Sequence, residues 1–315
     1  ASNYYPVIRK ALVDAGFEQV PVISAAMSSN VRSNQPGFKL DFKNIAVIAF
    51  DAILFGDCLS KLYHSTAVRI ENPSLALDLK NQYLQKAKPI VLEKDRKGLI
   101  ALLKNAVKEF NKLLPEEYLE RKKVGIVGEI FLKFHPFANQ NIVAWLMSQK
   151  IEVIPPTLIP FMTQFFVNRD SKLENNVDTS SIPNPIMKLL YVLVKKEIGK
   201  FNNIISKFKY YSPIEDIYEL ADEVKNIIPL IAQFGEGWVL PAEIVSLARN
   251  KADGVISLQP FGCIANHIIS KGVENKIKQL YPDLSLLSLD FDSGVSEVNV
   301  VNRLMLLKDS MSKKA

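Results

Sequence analysis

Apolar residues recur at helical spacing along most of this chain and condense into short continuous runs at only a few places, and that contrast sets the predicted elements. Tyr4 to Ala15 has helical periodicity and stops at Gly16, a residue suited to a left-handed C-terminal turn. EQVPVISAA then reads as a short strand that leads into the polar loop SSNVRSNQPG. From Asp41, placed as an N-cap, FKNIAVIAFDAILFGDCLSKLYH is apolar on nearly every face, which predicts a deeply buried helix between layers. Two further helical segments, Pro73 to about Ala87 and about Asp95 to Leu114, make this first part mostly α.

The pattern changes at RKKVGIVGEIF, where Val124 to Ile130 is a short apolar run with glycines, as in the first strand of a parallel α/β domain. NIVAWLMSQK then predicts a helix and IEVIPP a second strand, one βαβ unit and therefore a parallel sheet. Thr157 to Tyr211 reads as a helical excursion with a polar break at NRDSKLENNVDTSSIPNP. Helices resume after Ser212-Pro213 and after GEGWVLP. ADGVISLQPFGC follows as a strand entering a loop, ANHIISKGVENKIKQLY as a helix and LSLLSLDF as another strand. A last helix, Val298 to Ser310, carries Val301, Leu304 and Leu307 on one face. The expected fold is α/β, with parallel-sheet Rossmann-like lobes and additional helices. The boundary falls near residue 122, separating a mostly helical lobe with one or more strands (1–122) from a parallel α/β lobe (123–315) with a helical insertion around 157–225.

Composition narrows the class. With 315 residues, 48% hydrophobic and 23% charged, the chain has the makeup of a globular protein with a full core. The longest uncharged stretches, Val153 to Asn168 and Gly254 to Ser270, are short and interrupted, so no membrane span and no membrane partner are expected. The first residue is Ala1, and the SNYYPVIRKAL that follows has no secretory signal, so the chain reads as a fragment of a longer cytoplasmic protein. Of the net charge of +6, a surplus of five sits in Lys86–Lys123, with eleven Lys/Arg against six Asp/Glu. Its apolar positions keep helical spacing, so the lysines describe a solvated helix face rather than a nucleic-acid surface.

Chemistry is expected where loops leave the carboxyl ends of parallel strands. Those loops are SAAMSSN, GEIFLKFHPFANQN, QPFGCIANH and DFDSGVSE, each near a helix start whose N–H groups favour an anion or a thiolate. They carry the candidate binding residues Glu129, His135, Asn139, Asn141, His267 and Ser293. Glu129 either points into the cleft or pairs with a cation such as Lys133. His267 follows Cys263 by four residues and shares its face if a helix has started, as a metal pair would. Capping a helix is the alternative, and His135 has the alternative of a loop residue with one backbone hydrogen bond. Cys263, after Gly262, suits a metal-bound thiolate or a small buried hydrophobe. Cys58, inside the apolar helix, and His64, near a helix end, read as structural. Gly125 and Gly128 suggest close packing against a helix rather than a phosphate loop, and no nucleotide, hydrolase or zinc-protease motif occurs.

Four segments, VGIVGEIFLKFHPFANQNIV, GEGWVLPAEIV, GVISLQPFGCIANHII and LSLLSLDFDSGVSEVNVVNRL, resemble the C-terminal region of activase-related proteins of the 2-hydroxyacyl-CoA dehydratase system. SNYYPVIRKALVDAGFEQVPVIS, QPGFKL and GDCLSKLY fit the same family, so the resemblance covers most of the chain and is weakest after Thr157. It implies partners in the form of ATPase (activator-like) domains or a subunit, a CoA thioester at the cleft, and an iron–sulfur cluster in the full-length protein serving ATP-driven low-potential electron transfer. Cys263 matches the cysteine of the family's Q-P-F-G-C motif, whereas Cys58 stands where an aliphatic residue is expected. In that family a cysteine directly precedes the matching opening, so the resemblance implies a further ligand immediately upstream of Ala1. With one eligible thiol the isolated chain is expected to hold no cluster. The competing expectation is a non-catalytic docking module for the ATPase domains.

Overall fold

The computed structural model describes residues 4–22, 42–177, 183–292 and 294–312. Contacts divide the chain into two units, Ala1–Val47 and Ile48–Ala315. In the first, α1 (Tyr4–Asp14) ends as its sequence predicts. Gly16 adopts φ +76, and the amides of Gly16 and Phe17 bond back to the carbonyls of Val13 and Leu12, closing a Schellman turn. The strand expected at EQVPVISAA is turn and coil through Val22. Its remainder, the SAAMSSN loop, QPGFKL and Asp41 lie outside the described residues.

The second unit holds a four-stranded, all-parallel sheet in the order β2-β1-β3-β4, formed by β1 (Lys123–Gly128), β2 (Glu152–Ile154), β3 (Gly254–Pro260) and β4 (Ser285–Phe291). This is the expected α/β fold. Strand residues alternate between faces. On one face Val124, Ile126, Ile256 and Leu289 pack with Ile142 and Leu146 of α6 (Ile142–Ser148) and with Val300, Leu304 and Leu307 of the last helix, α12 (Glu297–Ser312). The buried stripe of α12 thus runs through Val300 rather than Val301, which is only half-buried. On the other face Val127 and Val255 pack with Ile244 and Val245 of α10 (Val239–Arg249) and with Ile277 of α11 (Glu274–Leu280).

Gly125 faces α10 so closely that an added Cβ would lie 2.3 Å from Leu247 Cδ1, which is the packing role its sequence context suggests. Gly128 closes instead on a strand, β3, as its Cβ would fall 2.1 Å from the Leu258 carbonyl oxygen.

A separate helical core joins α2 (Phe42–Ala67), α3 (Pro73–Leu92), α4 (Arg96–Leu113) and α8 (Asn184–Ile205). Asn72 and Asp95 cap α3 and α4 by accepting the amides of Ser74 and Gly98. Leu54, Phe55, Leu59 and Leu62 of α2 are fully buried in this core, which also takes in Phe201, Phe208 and Tyr210. The helical segments before β1 therefore share their core with residues of the excursion between β2 and β3. That excursion holds α7 (Ile159–Glu174), α8 and α9 (Ile217–Val224). Its polar break is shorter than the sequence suggests, because Asn168–Glu174 belong to α7.

Candidate functional site

The parallel strands end together, so the loops after β1, β3 and β4 leave from one edge of the sheet. Two hydrogen bonds tie the first two loops. The amide of Glu129 donates to Leu258 O at 3.0 Å, and Asn266 Nδ2 donates to the same oxygen at 3.3 Å. The loop after β4 joins them through Gln140 Nε2, which donates to Val295 O at 3.2 Å.

Each expected residue has a definite place. Glu129 caps the five-residue α5 (Ile130–Phe134), accepting the Leu132 amide at 3.1 Å. Lys133 turns away from it and pairs with Glu243 at 3.2 Å, both buried, so the proposed Glu129–Lys133 pair is replaced by a bridge to α10. His135 is exposed, stacks on Phe131, and accepts the Ala138 amide at Nδ1. Asn139 is buried and donates to Leu132 O at 2.8 Å. Asn141 is exposed in a left-handed conformation and makes no capping bond with its side chain. Ser293 lies outside the described residues.

The turn after β3 carries Gly262 at φ +78, then Cys263, which is half-buried. The amide of His267 donates to Cys263 O at 2.8 Å, so the two residues do share a face, and His267 Nε2 lies 3.2 Å from Asp290 Oδ1. The expected single helix is instead a six-residue π-helical stretch, Ala265–Ser270, followed by the separate α11. With only five residues in α5 and six in the π stretch, neither offers the helix dipole invoked for anion binding at these loops. Wide π turns do, however, recur at functional positions.

The residues that sequence reasoning missed are amides. Gln259 and Asn266 are buried at 1% and 0% exposure. Both side-chain polar atoms of Gln259, Oδ1 of Asn266 and Oδ1 of Asn139 find no hydrogen-bond partner among the described residues. Orphaned buried polar atoms cost about 1–3 kcal/mol each, so four of them on three residues of this edge mark it as shaped for something other than stability. The available signal was the polar pair Gln259 and Asn266 on either side of the glycine turn in an otherwise apolar run.

A second concentration of polar groups lies in and around a cavity of about 220 Å³ lined by Lys61, Glu152, Ser212, Glu215 and Glu243. Burial pushes Glu215 up to about 7 against the pull of Lys61, and pushes Glu243 up against Lys133. One turn before Lys61, burial also raises Asp57 from 3.8 to about 7, although the amides of Leu158 and Ile159 and the charge of Lys61 oppose it. The folded state thus holds the Asp57 proton more tightly than the unfolded chain does. Its contribution to stability is complete below pH 3.8 and is lost as pH rises through about 7. Asp57→Asn keeps an acceptor for the Leu158 amide and should flatten that fall, by up to about 1.4 kcal/mol per pH unit. Urea midpoints of both proteins across this range check it, and an unchanged slope would contradict it.

Two structural expectations sit in α2. Cys58 is completely buried and burial drives its thiol far up, while His64 is held down to about 4 by burial and bonds Ser60 O. Among the described residues no group of three or more His, Cys, Asp or Glu is arranged to hold a metal, and no helix is long and apolar enough to cross a membrane. No family model, curated protein or solved structure matches this chain.

Proposed function

We propose that this chain is part of a larger activase-related protein of the 2-hydroxyacyl-CoA dehydratase type, in which Cys263 contributes one thiolate to an iron–sulfur cluster completed by ligands from outside the chain. The observation that carries the reading is the setting of Cys263. It is a half-exposed thiol in a glycine turn at a strand end, with Phe261, Ile264 and Ile268 exposed at 76%, 52% and 67% around it. Such an apolar collar is costly in water and suits a thiol that is covered when its partner docks.

The fit to a cluster is partial. The chain has two cysteines, and Cys58 is sealed inside α2, so one thiolate out of about four is available here. When bound, a cluster supplies one-electron chemistry at low potential. The chain's own residues do the rest. Gly262, at φ +78, gives the turn that carries the thiol, and His135, Asn139, Asn141 and His267 are the groups in neighbouring loops that would orient a CoA thioester.

The test is anaerobic reconstitution of the full-length protein with iron and sulfide. Wild type and Cys58→Ser should bind equal iron, and Cys263→Ser should lose the cluster absorbance. Equal iron in wild type and Cys263→Ser overturns the assignment. A second reading, a docking module for ATPase domains, is favoured by the exposed aromatics Phe131, Phe134 and Phe137 of the loop after β1. It predicts that no wild-type cluster forms at all.

A further inference from the structure

Three cations are buried among the described residues: Lys61, Arg69 and Lys133. Arg69 holds Glu152 at 2.6 Å and Lys133 holds Glu243 at 3.2 Å. Lys61 has no carboxylate within ion-pair distance among the described residues. Its Nζ donates to Ser212 Oγ at 3.3 Å, one bond for a group with three N–H donors. Glu215 is the carboxylate that acts on it most strongly, yet Glu215 Oε1 is engaged by the Ser246 hydroxyl and the Asn250 amide. Glu215, Asp57 and Glu152 favour its charge from beyond ion-pair distance, so the ammonium has acidic neighbours but no carboxylate in direct contact, whereas buried charges in folded proteins are normally paired.

The missing partner has a place to sit. Lys61 and Ser212 line the cavity of about 220 Å³ together with Pro155, Pro156 and Tyr211, and with Glu152, Glu215 and Glu243, whose carboxylates are engaged by Arg69, by Ser246 and Asn250, and by Lys133. We propose that this cavity binds a small free carboxylic acid, its carboxylate on the Lys61 ammonium and the Ser212 hydroxyl, its carbon chain against the prolines and Tyr211. Because Ser212 Oγ accepts from Lys61, its own O–H remains to donate to a carboxylate oxygen. Volume limits the guest: pockets for drug-sized ligands run to about 300–1,000 Å³, so this smaller space takes an acid of a few carbons. Burial pushes the Lys61 amine down, and a carboxylate beside it restores the charged form. The inference uses none of the residues assigned to the cluster or the CoA thioester.

Titration calorimetry of the purified chain with acetate and butyrate, and with the neutral isostere butyramide, tests it. Wild type should bind at least one of the two acids saturably and should not bind butyramide. Lys61→Met should lose acid binding at least tenfold, as expected for a charge-assisted contact worth about 1.5–3 kcal/mol. Ser212→Ala, which removes only a hydroxyl, should weaken binding several-fold and carries the test if Lys61→Met does not fold. Failure of wild type to bind either acid, equal binding of butyramide, or unchanged affinity in the folded variants overturns the proposal.

Discussion

Arg69→Ala is expected to destabilise the fold by about 3–5 kcal/mol, because it removes one partner of a fully buried ion pair and leaves the other charge stranded. Arg69 has no exposed side-chain surface and Glu152 has 9%. The guanidinium spends four of its five donors: Nη2 on Glu152 at 2.6 Å, Nη1 on Ser65 O at 2.7 Å and Ser65 Oγ at 3.0 Å, and Nε on Leu119 O at 2.9 Å. Its plane also lies 3.7 Å from the centroid of the Tyr210 ring. One side chain therefore joins the end of α2, the segment before β1, the edge strand β2 and the end of the helical excursion. Urea unfolding should show the loss. Arg69→Met combined with Glu152→Gln should recover most of it, since the penalty arises from an uncompensated carboxylate rather than from a missing attraction. A change below about 1 kcal/mol for Arg69→Ala, the scale of an exposed pair, would mean that Glu152 reaches water.

That bridge also shows where sequence reading stops. The strands around GIVG, EVI, VISL and LLSL were legible because short apolar runs bounded by glycine, proline or polar residues have few other solutions in a parallel sheet. The long helices were legible from their period, and α1 from its glycine stop. None of this says which charges go inside. Asp51, Asp57 and Lys61 sit in a helix that is otherwise apolar on nearly every face, and that combination was the available signal for buried charge in α2. Their partners lie 45 to 151 residues away, at Arg96, Leu158 and Ser212, so no local pattern could name them.

The candidate edge divides in the same way. Topology alone brings Glu129, Asn139 and Cys263 to one end of the sheet, because parallel strands all exit on the same side. What each side chain does there depends on packing that period and motif do not encode. Glu129 spends its carboxylate on its own helix start. Lys133 reaches across to α10. The backbone after Cys263 opens into a π turn rather than an α-helix. The buried amides of Gln259 and Asn266 were hidden because a polar residue next to a turn ordinarily reads as solvated.

Gly128→Ala is the substitution expected to strike this edge hardest, with a loss of about 3 kcal/mol or more from backbone strain and steric conflict together. Gly128 ends β1 at φ +127, a conformation that side chains rarely adopt. An alanine Cβ there would lie 2.1 Å from Leu258 O and 2.6 Å from Leu258 N, atoms of the β3 backbone that cannot rotate aside. Leu258 is also its ladder partner, and Leu258 O receives both the Glu129 amide and Asn266 Nδ2. Relief of the clash must therefore part β1 from β3 where the two candidate loops are anchored. Gly125→Ala makes the control: its Cβ meets only the tip of the Leu247 side chain, at 2.3 Å, and a leucine rotamer can yield where a strand cannot. The urea midpoint should fall much further for Gly128→Ala than for Gly125→Ala. Equal shifts would mean that β3 moves as readily as a side chain, and that the edge is less rigidly built than its hydrogen bonds require.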